Sequence, residues 1–229
     1  MRTKRVVLAL KVLLWVGALT PTVWLGAGAY WGWLGANPVE KLEHVTGMSA
    51  LIGLLATLLV TPLRRVTGWN PLIRLRRPIG LFAFYYVALH FSIWMGLDLG
   101  LNLSWITDDI RKRPYITVGF TGFLLLIPLA LTSTRKSIRR LGKRWVTLHR
   151  LIYVVPALGV IHYYWSVKAD VRIPILMGVI YATLMLVRIP GWVESRARRS
   201  ARAARARREP RGSPASREGS GTVPVGATD

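Results

Sequence analysis

Six apolar runs, each roughly 17–25 residues long, make up most of this chain, and that is the length a helix needs to cross a hydrocarbon core about 30 Å thick. They cover Val6 to about Tyr30, Val45 to Leu63, Ile79 to Leu97, Tyr115 to Leu131, Val146 to Val167, and Val171 to Ile189. The apolar residues come in blocks and are not spaced at a helical or strand period, so no face is left over for water. Inside a bilayer every backbone N–H and C=O must be satisfied within its own segment, which selects helices. The expected fold class is all-α integral membrane, a six-transmembrane-helix bundle. Pro128 and Pro156 fall inside runs, which is tolerated where neighbouring helices satisfy the freed carbonyl. The first run follows Arg2, Lys4 and Arg5 and contains Ala27-Gly28-Ala29, similar to a signal-peptidase site. A signal peptide carries an apolar stretch of about 7–15 residues. This run is longer and is read as an uncleaved first helix.

Charge sets the orientation. The chain of 229 residues holds 32 Lys+Arg against 10 Asp+Glu, a net charge of +22. Such a balance is often a sign of nucleic-acid binding. Here the cations sit in alternate loops: Arg64, Arg65, Arg74, Arg76 and Arg77 after the second run, then Arg135, Lys136, Arg139, Arg140, Lys143 and Arg144 after the fourth, with no acid in either. The intervening loops are nearly neutral, the Arg111-Lys112-Arg113 run being offset by Asp98, Asp108 and Asp109. This is the positive-inside pattern. It places N- and C-termini in the cytoplasm of a bacterial cell, makes the protein a multi-pass component of the inner membrane, and leaves no role for nucleic acid. Residues 1–190 read as the membrane domain and 191–229 as an Arg-rich, largely disordered cytoplasmic tail. Its closely spaced arginines read first as a solvated, topology-fixing charge run, with a basic helix on anionic membrane lipid as the alternative.

The chain has no cysteine. Disulfides, iron–sulfur clusters, thiolate ligation and covalent c-type haem are therefore excluded. Neither a dinucleotide-binding glycine motif nor a P-loop is present, so electrons passing through the chain must come from another molecule.

Polar groups within spans are costly and mark functional sites. His90 lies in a wholly apolar and aromatic setting, Phe82 to Phe91, and so does His162, in Gly159 to Trp165. His90 is 12 residues from Pro78 at the inner end of its span, roughly 18 Å of rise. His162 is about 5 residues, or some 8 Å, from the outer end of its own. Both sit in the outer half, where an imidazole from each helix can ligate one iron axially, a bis-His b-type haem site. His149 precedes His162 by 13 residues, roughly 20 Å, a separation that suits a second, inner haem. On an ideal helix, however, the two side chains point about 140° apart. Position 77, the matching 13 residues before His90, is arginine. His44, beside Glu40 and Glu43 at the outer interface, reads as an interfacial or capping residue, with haem contact or electron exit as its alternative. Arg76, Arg77, Lys143, Arg144 and Arg150 are candidates for haem propionates, a flavin phosphate or a quinone head group through charge-assisted hydrogen bonds. Each also serves as topology-setting charge.

The stretches LGANPVEKLEHVTG, ATLLVTPLRR, PLIRLRRPIGLFAFYYVALH, RPYITVGFTGFLLLIPLALTST and LGKRWVTLHRLIYVVPALGVIHYYWSVK, in this order, resemble the MsrQ (YedZ) family of haem-binding membrane subunits. The resemblance spans nearly all of residues 1–190 and leaves out the tail. It implies a ferric-reductase-like transmembrane fold, heme b (one or two groups) held by His90, His149 and His162, and FMN. It further implies electron transfer from the quinone pool to a periplasmic molybdopterin methionine sulfoxide reductase, MsrP-like, which repairs oxidised envelope proteins. Sulfoxide reduction itself would occur on that partner. The competing redox reading is a cytochrome b561-like or ferric-chelate reductase subunit with another acceptor. A third reading, a small transporter or assembly scaffold using its histidines for protons, requires no haem.

Overall fold

The computed structural model describes residues 2–189 and 200–201. Backbone contacts divide the chain between Val187 and Arg188. The expected tail, residues 200–201 apart, lies outside the described residues. Nine α-helices make up the first unit, with no strand among the described residues: α1 (Arg2–Trp31), α2 (Pro38–Thr67), α3 (Ile73–Ile93), α4 (Leu103–Lys112), α5 (Pro114–Leu131), α6 (Arg135–Leu141), α7 (Lys143–Leu148), α8 (Val154–Ser166) and α9 (Arg172–Leu186).

Five helical stretches are long and apolar enough to cross a membrane: Thr3–Trp31, Pro38–Thr67, Asn70–Asp98, Pro114–Leu131 and Lys143–Ser166. The sixth expected run forms α9, of 15 residues, about 22 Å of rise. The spans are longer than their apolar runs at polar ends. Asn37 caps α2 by accepting from the Glu40 N–H, so α2 takes in Glu40, Glu43 and His44 before the apolar stretch begins. α3 likewise begins ahead of Pro78 and ends in a π-turn, Trp94–Asp98. The loop between the third and fourth runs contains α4, capped by Asn102. It reads as loop in the sequence because its apolar residues are few.

Contacts between helices give their directions. Thr46 meets His90, Gly53 meets Ala83 and Thr57 meets Gly80, so α2 and α3 run antiparallel. Tyr115 and Gly119 meet His162 while Thr132 meets His149, so α5 and α8 do too. Tyr153 with Tyr181 and Val160 with Gly178 register α8 against α9 in the same sense. Small residues set the closest approach. A Cβ on Gly53 would lie 3.0 Å from the Ala83 Cβ, the small-on-small packing that lets membrane helices gain dispersion contacts. The core is Leu51, Leu54, Leu55 and Leu58 of α2 packed against Ala83, Leu126, Leu129, Ile152 and Val155, with Leu58 fully buried.

Two prolines inside spans are handled alike. A proline lacks the N–H and crowds the preceding turn, which draws carbonyls there away from their helical donors. Three residues before Pro21, the Ala18 carbonyl accepts from the Tyr86 hydroxyl of α3. Three residues before Pro156, the Tyr153 carbonyl accepts from the Tyr181 hydroxyl of α9 at 2.8 Å. In each case a hydroxyl from a neighbouring helix enters the turn that the proline loosens, so polar groups there are met inside the protein, as a bilayer demands.

All six acidic residues before position 190 (Glu40, Glu43, Asp98, Asp108, Asp109 and Asp170) fall at one end of the bundle, its acidic end. The loops after α2 and α5, rich in arginine and lysine, form the opposite, basic end.

Candidate functional site

His90, on α3, and His162, on α8, come together in the acidic half, with ring centroids 6.2 Å apart and planes at 77°. Each ring is fixed by a backbone carbonyl from a different helix. The His90 Nδ1–H donates to the Glu43 carbonyl at 3.0 Å, and the His162 Nδ1–H to the Tyr115 carbonyl at 2.7 Å. A carbonyl only accepts, so Nδ1 carries the proton in both rings and the lone pair lies on Nε2. This is the tautomer and the outer hydrogen bond that metal-ligating histidines use. Thr46, fully buried, gives its hydroxyl to the Leu42 carbonyl at 2.7 Å and stands 3.4 Å from the His90 Nδ1.

Two glycines make room for the rings. A Cβ on Gly47 of α2 would stand 3.3 Å from the His90 Nδ1 and Cε1, and one on Gly119 of α5 would stand 2.7 Å from the His162 Nδ1. Phe91, next to His90, stacks on Phe120 and Phe123 and ties α3 to α5 at this level. Trp94, one turn beyond His90 in the π-turn, holds its indole Nε1 buried with no hydrogen-bond partner. Glu43 Oε1 is buried and unpartnered as well.

His149 lies at the basic end, apart from this pair. Its ring stacks on Trp145 (centroids 4.0 Å apart), and its Nε2 meets the Thr132 hydroxyl at 3.0 Å. Trp145 in turn donates to the Thr132 carbonyl at 3.0 Å. Among the described residues no second imidazole faces it. The angular mismatch expected between His149 and His162 is corrected by the backbone: His149–Tyr153 is a 3₁₀ segment. Four or five steps at about 120° in place of 100° bring the two histidines to within roughly 40–60° of one another around the axis. Pro156 is the cause, since it cannot donate to the Ile152 carbonyl and its ring crowds that carbonyl.

His44 is exposed and stands edge-on to Tyr163, with centroids 6.1 Å apart. It flanks the pair and bonds to neither ring. Arg76, Arg77, Lys143, Arg144 and Arg150 all fall at the basic end, where Arg76 is half-buried and the other four are exposed. At the acidic end Lys112 pairs with Asp108, Arg113 with Asp109 and Arg172 with Asp170. No group of three or more His, Asp or Glu able to hold a bare metal ion occurs among the described residues.

The sequence pointed to the imidazoles but not to what holds them. Gly47 and Gly119 carried a usable signal, because a glycine inside a helix costs about 1 kcal/mol relative to alanine and so marks a close approach. The carbonyls of Glu43 and Tyr115 carried none, since every residue has one.

Residues 46–160 match the family described as ferric reductase like transmembrane component; that range includes His90 and His149 and stops two residues short of His162. A protein of Herminiimonas arsenicoxydans named protein-methionine-sulfoxide reductase heme-binding subunit MsrQ is 47% identical over 85% of this chain and 90% of its own length. Its namesakes in Ralstonia nicotianae and Bordetella pertussis are each 45% identical over 85% of this chain and over 91% and 95% of their own lengths. No solved structure matches. With identity at this level along nearly the whole length of its relatives, the chain belongs to the MsrQ family, on a ferric-reductase-like transmembrane domain.

Proposed function

We propose that this chain is the haem-binding membrane subunit of a protein-methionine-sulfoxide reductase, with one b-type haem held between His90 and His162. The observation that carries this reading is the imidazole pair. A metal–imidazole bond is about 2 Å and a ring centre lies about 1 Å beyond its nitrogen, so two imidazoles trans on one iron have centroids roughly 6 Å apart. The 6.2 Å measured here fits. So do the Nε2 lone pairs left by the two Nδ1–H donors, and the glycines that keep methyl groups off the rings. The group supplies a one-electron Fe(III)/Fe(II) couple when bound. His90 and His162 would hold it through their Nε2 nitrogens, with the Glu43 and Tyr115 carbonyls fixing ring orientation and Phe91, Phe120 and Phe123 as an aromatic wall that would keep water away.

On the positive-inside rule the acidic end is periplasmic and both chain ends are cytoplasmic, with α9 as the sixth span. The site is then nearer the periplasm, where its electrons serve an MsrP-like molybdopterin enzyme that reduces methionine sulfoxide in envelope proteins. The quinone pool of the bacterial inner membrane is the donor. At the cytoplasmic end, Arg76, Arg77, Lys143, Arg144 and Arg150 suit the phosphate of FMN or the propionates of a second haem near His149.

The test is the reduced-minus-oxidised spectrum of the detergent-purified protein and its variants. A reducible Soret band is expected, and His90→Ala and His162→Ala should each abolish the low-spin component. Full haem content in both variants would overturn the site. Quinol oxidation that requires the periplasmic enzyme supports the assigned acceptor, whereas equal activity with ferric chelates alone would favour a ferric reductase.

A further inference from the structure

Trp94 differs from the other tryptophans near the acidic end. Trp31, Trp33, Trp105 and Trp165 are 48–68% exposed, as expected of an interfacial aromatic belt whose N–H groups face water and lipid head groups. The Trp94 indole nitrogen is instead fully buried, and among the described residues it has no acceptor. An unpaired buried donor is costly, and in a native fold it calls for a partner.

Its position says what kind of partner. Trp94 follows His90 by four residues, about 6 Å of rise toward the periplasmic boundary, and it opens the π-turn Trp94–Asp98, in which the Leu99 N–H bonds to the Trp94 carbonyl. Such turns recur at functional sites. A haem between His90 and His162 carries two carboxylates, and charge buried in hydrocarbon is expensive. On that ground they would lie toward the nearer, periplasmic boundary, the side on which Trp94 stands. The cations at that end (Lys41, Arg111, Lys112, Arg113, Lys168 and Arg172) are exposed, so among the described residues Trp94 alone offers an unpartnered donor buried at the level of the histidine pair. The other two buried side-chain atoms without a hydrogen-bond partner among the described residues, Glu43 Oε1 and Asp109 Oδ2, are carboxylate oxygens, which repel an anion.

We infer that the Trp94 indole N–H is the buried donor to a haem propionate, anchoring the periplasmic edge of the group and setting its rotation about the His90–iron–His162 axis. This rests on the proposed haem between those two histidines. The test is a cycle of two proteins and two ligands. Full-length wild type and Trp94→Phe, stripped of haem in detergent, are reloaded with protohaem or with its dimethyl ester, whose propionates are masked. Release to excess apomyoglobin is then followed at the Soret band.

Loss of one hydrogen bond to a charged group is worth roughly ten-fold or more in release rate. Trp94→Phe should release protohaem at least ten-fold faster than wild type and release the ester at the wild-type rate. Its protohaem midpoint potential should fall, because a propionate without its donor favours the ferric state. Equal rates with protohaem, or equal acceleration with both ligands, or failure of the variant to take up either ligand, would overturn the inference. If wild type binds neither ligand through His90 and His162, the haem reading itself falls.

Discussion

Alanine at position 119 should loosen the haem proposed between His90 and His162 without loosening the protein. The added Cβ would stand 2.7 Å from the His162 Nδ1, 2.9 Å from Cε1 and 3.0 Å from Cγ, whereas ordinary contact begins at 3.4 Å. The ring must retreat by about 0.7 Å, and it is held in place by its 2.7 Å bond to the Tyr115 carbonyl. Overpacking of this kind typically costs about 1–3 kcal/mol, which corresponds to roughly 5- to 150-fold in haem affinity. Helix propensity acts the other way, because glycine to alanine inside a helix gains up to about 1 kcal/mol. The haem-free variant, free to turn its ring off the carbonyl, should melt at or slightly above the wild-type temperature. Two neighbours calibrate the effect. A Cβ at Gly47 would be 3.3 Å from the His90 ring, a small intrusion, and one at Gly122 would be 3.7 Å from the Leu158 Cβ, an ordinary contact. Haem content per polypeptide, measured as the pyridine haemochrome, should fall in the order Gly122→Ala, Gly47→Ala, Gly119→Ala. Circular dichroism checks that helix content is unchanged. Full occupancy and an unchanged haem release rate in Gly119→Ala would refute the assignment of His162 as a ligand.

Five further substitutions separate packing from ligation. Tyr86→Phe and Tyr181→Phe each remove a hydroxyl bonded to a carbonyl in the turn before a proline and should lower stability by about 1 kcal/mol, read as a lower melting temperature of the detergent-solubilised protein. Thr132→Val removes the hydroxyl at the His149 Nε2 and should leave the low-spin haem signal of the His90–His162 pair at wild-type amplitude; its loss would couple the two ends. Gly53→Val drives branched methyls against Ala83, whose Cα would be only 3.2 Å from even the first added carbon. It should part α2 from α3, strain the bond from His90 to the Glu43 carbonyl, and lower both melting temperature and haem content. Asp108→Asn should change neither, because its bond to Lys112 joins two exposed side chains.

Run length and loop charge made the helical membrane character legible, since both are properties of composition along the chain. The ends of the helices were less so: α2 starts seven residues before its apolar run because the Asn37 side chain caps it, a local bond that hydropathy does not register. The His90–His162 pair was legible because an imidazole in an apolar run is conspicuous and because depth follows from counting residues. The 140° discrepancy between His149 and His162 had another origin. It assumed a uniform turn of about 100° per residue, and Pro156 was visible as a source of bending, though not of the direction of change. The turn before a proline can open or tighten. Here the Tyr153 carbonyl is taken up by Tyr181 from α9, and the segment from His149 to Tyr153 winds as 3₁₀. That tightening brings His149 round toward the side of His162, a rotation that depends on a hydrogen bond from 28 residues away. Facing the same way gives His149 a position along the bundle, but ligation needs a second nitrogen, and the residue 13 before His90 is Arg77, exposed at the basic end. A guanidinium there binds carboxylates and phosphates; it cannot, at its charge, offer iron a lone pair. Any group held near His149 is therefore bound chiefly through its anionic edge, and its occupancy should be the more sensitive of the two to ionic strength.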